Sequence, residues 1–233
     1  MADLRDLLSA AKCVFFDFDG PICRLFAGHP ASEVANRLRE LIAGTGDGSV
    51  IPSEALETDD PQAVLRAYAN AVPGSPLVAE LEELITREEM IAAESSRPTA
   101  YADLLIRTFR TLGLQLAVTT NNAPAAVRRY LERRDLAECF GSHIYGRTRD
   151  VARLKPDPDC VRRALAGTGM NASEVVLLGD SPADLQAARA ADVAFLGYAR
   201  NARKLAALEQ ARAEVIVDSL EAVLTAVRDA DRG

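Results

Sequence analysis

Short apolar runs rich in Val, Ile, Leu and Phe recur along this chain, each followed by a stretch whose apolar residues repeat every three to four positions. The clearest runs cover 13–18, 114–119, 175–179, 193–197 and 215–217. They are too brief for helices and are bounded by turn residues, so they predict strands. Helical patterns lie around and between them at 101–111, 124–134, 158–167, 182–191, 200–210 and 219–229, several with proline in a first-turn position, where its missing N–H costs nothing. Strands that are apolar throughout, rather than alternating, are those covered on both faces. The pattern therefore predicts an α/β fold built on a Rossmann-like, doubly wound parallel sheet.

The stretch from Arg24 to Pro98 breaks this rhythm, with helical patterns at 31–43, 61–72 and 76–95, no strand, and a flexible turn at Gly44-Thr45-Gly46-Asp47-Gly48. An inserted α-helical cap domain fits it. Residues 1–23 and 99–233 would then form the core and 24–98 the cap.

A length of 233 residues suits an α/β core with an insertion, and 48% hydrophobic with 26% charged residues is the composition of a globular protein. A net charge of −7 without any Lys/Arg block argues against a nucleic-acid partner. No run approaches the roughly 20 apolar residues that span a bilayer. The opening residues lack the basic-then-apolar layout of a signal peptide, and the expectation is a cytoplasmic protein. Oligomeric state is not legible, because no heptad seam appears. Cys13, Cys23, Cys139 and Cys160 lack paired metal-ligand spacing and are expected as small buried apolar residues, not as a zinc site or disulfides.

Chemistry concentrates where the predicted strands end. The first run closes in Asp17-Phe18-Asp19-Gly20, and carboxylates at i and i+2 of an extended segment face one side. Open α/β sheets bind ligands at that carboxyl edge. Alone, the pair also reads as solvated turn acids. The second run ends in Thr119-Thr120-Asn121-Asn122, which alone reads as a helix cap before Pro124. Lys155 precedes Pro156-Asp157-Pro158 and could be a surface lysine beside a capping Asp157. Gly179-Asp180-Ser181-Pro182-Ala183-Asp184 opens a helix, where Asp180 or Ser181 could cap and Asp184 would suit the first turn. Four such segments together, supplying two carboxylate pairs, a hydroxyl and a lysine, point to a reactive centre.

With Asp17-Phe18-Asp19-Gly20, Thr120-Asn121, Lys155-Pro156 and Gly179-Asp180-Ser181-Pro182-Ala183-Asp184 in that order, the chain resembles the haloacid dehalogenase-like (HAD) superfamily over residues 13 to about 197. The branch is the one that holds phosphoglycolate phosphatases and β-phosphoglucomutase. The resemblance implies a Mg²⁺-dependent phosphatase acting on a small phosphorylated metabolite. Asp17 would be the nucleophile, forming an aspartyl-phosphate, and Asp19 the general acid and base. Thr120 and Asn121 would hold phosphoryl oxygens and Lys155 would offset charge. The metal ligands would be Asp17, the main-chain carbonyl of Asp19, and Asp180. Asp184 would bind a metal-bound water or orient Lys155. Pro21 departs from the family pattern and removes a backbone donor, so the turn leaving the first motif is expected to differ.

Asp19 speaks against dehalogenation and against phosphonate cleavage, neither of which uses this second aspartate. Two alternatives remain. His29, twelve positions after Asp17, falls about where a sugar phosphomutase of the β-phosphoglucomutase type carries a cap histidine. A non-catalytic metabolite-binding module on the same fold is the other. Arg24, His29 and Arg97, near the junctions of the insertion, are the candidates for reading the substrate.

Overall fold

In β1 (Cys13–Phe16), Val14 and Phe16 point to one side of the sheet and Cys13 and Phe15 to the other, and all four are buried. Both faces of this strand must therefore be covered. The computed structural model, which describes residues 4–46 and 50–230, shows how. β1 is central in a six-stranded sheet with β4 (Gln115–Thr119), β5 (Ile144–Tyr145), β6 (Val175–Gly179), β7 (Ala194–Tyr198) and β8 (Ile216–Val217), in the order β5-β4-β1-β6-β7-β8. Every pairing in it is parallel.

Val14, Phe16, Leu116 and Val118 share one core with α6 (Ala102–Thr111), α7 (Pro124–Arg133) and α12 (Leu220–Ala230). Phe16 meets Phe109 and Phe140 edge-on at centroid distances of 6.2 and 6.0 Å, an arrangement in which ring edges face the electron-rich ring faces. Cys13, Phe15, Ala117 and Leu177 share a second core with α9 (Asp159–Thr168), α10 (Pro182–Ala190) and α11 (Ala202–Gln210). This is the doubly wound Rossmann-like α/β architecture. Cys13, Cys23 and Cys160 are buried, and all four cysteines are free.

The segment between β1 and β4 adds α2 (Ala31–Gly44), α3 (Ser53–Glu57), α4 (Pro61–Ala71) and α5 (Leu77–Ser95). Leu38, Ile42, Leu65, Tyr68, Leu81 and Ile85 make a third core there, which Val151 and Leu154 join from the loop after β5. α4 starts because Asp60 accepts from the Gln62 N–H at 2.9 Å, with Pro61 in the first turn. At the base of the insertion, β2 (Cys23–Arg24) and β3 (Arg97–Pro98) pair antiparallel, Arg24 opposite Arg97.

Several elements differ from the sequence pattern. β5, β2 and β3 are only two residues long each, and such strands exist through their partners rather than through any pattern of their own. The short helices α1 (Leu4–Ser9), α3 and α8 (Ala137–Phe140) were likewise not expected. Of the expected flexible turn, Gly44 ends α2 and Thr45 and Gly46 form a turn, while Asp47 and Gly48 lie outside the described residues. Among the described residues no helix is long and apolar enough to cross a membrane.

Candidate active site

Phe18 fixes the first loop. Its ring is fully buried and meets Tyr130 edge-on at 5.4 Å, so the residues on either side, Asp17 and Asp19, are turned the other way, toward a cavity of about 740 Å³ at the carboxyl edge of the sheet. Gly20 follows at φ +132°, and a Cβ there would lie 2.4 Å from Asp180 Oδ2. Only glycine lets the first loop pass this close to the fourth. Pro21 is accommodated because the turn never asks for its N–H: Ile22 and Cys23 both donate to the Phe18 carbonyl, and Gly20 donates to that of Cys23.

The other three segments reach the same cavity. Thr120 and Asn121 follow β4, Lys155 comes from the loop after β5, and Asp180 and Asp184 follow β6. Lys155 is 1% exposed, and its ammonium donates three bonds: to Asp17 Oδ1 at 2.8 Å, the Thr119 carbonyl at 2.8 Å and Asp184 Oδ1 at 2.5 Å. Asp184 Oδ2 accepts from Ser181 Oγ at 2.6 Å and from the backbone N–H of Ser181 and Asp180 at 3.0 and 3.2 Å. Ser181 caps α10 in a reciprocal capping box with Asp184, so this acid both starts a helix and holds the lysine. Asn121 is committed to Lys155: its Oδ1 accepts from the Lys155 N–H at 2.7 Å and its Nδ2 donates to the Lys155 carbonyl at 3.3 Å. Asp19 Oδ1 accepts from the Leu25 N–H at 2.9 Å, at the first turn of the insertion.

These acids outnumber the cations beside them. Burial pushes the Asp17 carboxyl up to about 7, against the pull of Lys155. Burial likewise pushes Asp19 up to about 6 despite the bond from Leu25, and Asp180 up to about 6 despite Lys204. Asp184 goes the other way, since the charge and hydrogen bond of Lys155 overcome its burial and hold it below the usual range. Burial would lower the Lys155 pKa, but Asp17 and Asp184 raise it above its ordinary value. Asp17, Asp180 and Asp184 can bring one oxygen each within 4.8 Å of one another. Hard oxygen donors with surplus negative charge suit Mg²⁺. Asp184 has its oxygens occupied by Lys155 and α10, which leaves Asp17 and Asp180 as the better placed ligands.

A model of the haloacid dehalogenase-like hydrolases matches residues 11–192. The chain is a haloacid dehalogenase-like hydrolase. Among curated relatives of this hydrolase, the phosphoglycolate phosphatase of Rhodospirillum rubrum is 27% identical over 206 residues, covering 81% of each chain. That of Pectobacterium atrosepticum is 25% identical and covers 93% of this chain and 92% of its own. Of solved structures, CbbY from Rhodobacter sphaeroides in complex with phosphate superposes with a TM-score of 0.68 at 21% identity, over 94% of this chain and 99% of that one. A predicted phosphatase from Clostridium acetobutylicum gives a TM-score of 0.70 at 18% identity, over 94% and 99%. These two share the fold.

Not every candidate of the sequence lines the hydrolase's cavity. Asp17, Asp19, Thr120, Asn121, Lys155, Asp180 and Asp184 do; Arg24, His29 and Arg97 do not. Arg24 and Arg97 are exposed on the β2–β3 pair. His29 Nε2 lies 2.6 Å from Glu88 Oε2, and Glu88 also takes the Arg37 guanidinium. Besides Lys155, the cations that line the cavity went unnoticed in the sequence: Arg66 of α4, which donates to the Lys155 carbonyl at 2.8 Å, and Arg200, Arg203 and Lys204 around the start of α11. Lys204 Nζ is 2.8 Å from Asp180 Oδ2. For Arg200, Arg203 and Lys204 the signal was positional, since they follow β7 at the same sheet edge as the four motifs.

Proposed function

We propose that this hydrolase cleaves phosphate monoesters of a small metabolite by way of an aspartyl-phosphate on Asp17. The observation that carries the reading is the convergence of four strand-end loops on one cavity, with the Lys155 ammonium 2.8 Å from the Asp17 carboxylate. Asp17 attacks phosphorus, and the bond from phosphorus to the ester oxygen breaks as Asp19 gives that oxygen its proton. Water then attacks the phosphorus of the intermediate, returning a proton to Asp19 and freeing Asp17. Lys155 balances charge on the nucleophile, and Thr120 with its neighbouring backbone holds phosphoryl oxygens. Held by Asp17, Asp180 and the main-chain carbonyl of Asp19, Mg²⁺ would supply the positive charge that lets nucleophile and phosphate approach. Asp184 orients Lys155.

Residues 24–98 are read as a cap on a core of 1–23 and 99–233, and Arg66, rather than Arg24, His29 or Arg97, is its residue for substrate contact. The names of the curated relatives make 2-phosphoglycolate the first metabolite to try. No observation favours a mutase, because His29 is engaged with Glu88 outside the cavity lining. The test is hydrolysis of an activated aryl phosphate with and without Mg²⁺, followed by a panel of metabolite phosphates. Mg²⁺-dependent turnover supports the reading; a pure, folded protein that releases no phosphate from any of them refutes it and leaves the metabolite-binding module.

A further inference from the structure

The most deeply buried charges outside the acid cluster join the inserted helices to the core. Glu89 of α5 and the side chain of Arg147, two residues beyond β5, are both fully buried. All five N–H groups of the Arg147 guanidinium find an acceptor. Nε donates to Glu82 Oε1 at 3.1 Å. Nη1 donates to Glu89 Oε1 and to the Asn121 carbonyl, each at 2.9 Å. Nη2 donates to Glu89 Oε2 at 3.2 Å and to Thr86 Oγ1 at 2.9 Å. Glu89 in turn accepts from Asn122 Nδ2 at 2.9 Å and from the Ala123 N–H at 2.7 Å. Ala123 stands at the N-cap of α7 and has no polar side chain, and Glu89 takes its backbone N–H, a donor at the start of that helix, from another helix.

We propose that Arg147 and Glu89 are positioning residues for the reaction, setting Lys155 and Thr120 against Asp17 through the Asn121-Asn122 turn. The inference rests on the phosphatase reading of this cavity. Two chains of bonds carry it. Arg147 holds the Asn121 carbonyl, the Asn121 side chain holds both backbone polar groups of Lys155, and Lys155 holds Asp17. Glu89 holds the Asn122 amide, whose Oδ1 accepts from the Thr120 hydroxyl at 2.9 Å and whose backbone N–H donates back to that hydroxyl at 3.1 Å. Gly146 shows how closely the two loops are pressed: a Cβ there would lie 2.4 Å from the Asn122 carbonyl oxygen. A pair kept only for stability would be served as well by apolar residues of the same volume. This one spends its remaining bonds on a single turn that lines the cavity, and a rigid shell behind reactive groups is what holds them within a fraction of an ångström.

The test compares Arg147→Lys, which keeps the charge but loses the planar fork, with wild type below the melting temperature of both. Displacing catalytic groups by about 1 Å costs up to about 100-fold, so kcat for an aryl phosphate at saturating Mg²⁺ should fall about 10- to 100-fold while KM changes less than about threefold. Should Arg147→Lys not fold, Thr86→Val removes one acceptor at the outer end of the network and should lower kcat about threefold at unchanged KM. Hydrogen exchange supplies a readout that needs no turnover: the amides of Asn122 and Ala123 should exchange faster in either variant. Folded variants with kcat within about twofold of wild type overturn the proposal. If wild type itself proves inactive, the phosphatase reading has failed, and unchanged exchange at Asn122 and Ala123 then overturns this inference separately.

Discussion

The Lys155 cluster and the Arg147 cluster are both buried, both centre on one cation, and share the Asn121-Asn122 turn, yet they are balanced differently. At Arg147 every donor has an acceptor, and although burial would lower its pKa, Glu89 and Glu82 raise it. At Lys155 the ammonium is equally well bonded, but the carboxyls of Asp17, Asp19 and Asp180 rise to about 7, 6 and 6 because burial outweighs the positive charge near them. A matched cluster fixes a shape. An unmatched one stores an affinity for something positive, and for the anion that comes with it. The protein has set the second on top of the first.

Four experiments break or sharpen this contrast. The largest effect belongs to Asp17→Asn, which is nearly isosteric: turnover should fall by about 10⁴ or more. Because the substitution removes a surplus negative charge, the melting temperature at pH 7.5 should stay level or rise. Substantial residual turnover, or a clear loss of stability, would break the contrast at its stronger end. The parallel change in the matched cluster, Glu89→Gln, should cost roughly 3 kcal/mol of unfolding free energy in urea, because it leaves Arg147 without its main counter-charge. A smaller cost would mean the pair is not matched as described.

Specificity should divide along another line. Arg66→Ala should shift the ratio of kcat/KM between two metabolite phosphates about tenfold while changing aryl phosphate hydrolysis little, since Arg66 faces the cavity from the inserted helices. Arg24→Ala and Arg97→Ala should leave that ratio within about twofold. The smallest effect is on melting. Asp180 has a folded pKa of about 6, above its ordinary 3.8, so the stability of the metal-free protein at this group is full below about 3.8 and falls as pH rises through 6. At the proposed metal site, protons and Mg²⁺ would compete for the same oxygens. Saturating Mg²⁺ should therefore raise the melting temperature by about 5 °C at pH 7.5 and by less than half of that at pH 5. An equal shift at both pH values would place the metal elsewhere.

The core strands and their polar ends were legible because both signals are local. An apolar run and the turn after it are contiguous, and the i, i+2 acids of Asp17 and Asp19 need only an extended backbone to share a side. The elements that escaped are those made by distant partners. Ile144–Tyr145 is a strand only because β4 lies beside it, and Arg24 faces Arg97 across most of the insertion. Glu89 and Arg147 are equally remote in sequence, although α5 carries a trace of the pair: Leu77, Leu81, Ile85 and Ala92 form its buried stripe, and Glu88 and Glu89 interrupt that stripe with charge. A carboxylate on an apolar face announces a partner without naming it. The junction arginines and His29 show the converse, since nearness in sequence to the ends of the insertion did not place them in the lining of the cavity.

Asp184 divides its two oxygens between unlike tasks, one closing the first turn of α10 and the other gripping Lys155. Helix ends fray long before a protein melts. In most helices the loss is trivial, but here a single unwound turn would release the lysine from one of its two anchoring carboxylates. Heating should accordingly silence the enzyme reversibly at temperatures where circular dichroism still reports a folded chain, so that its useful thermal range is set by one turn of helix and not by the hydrophobic core.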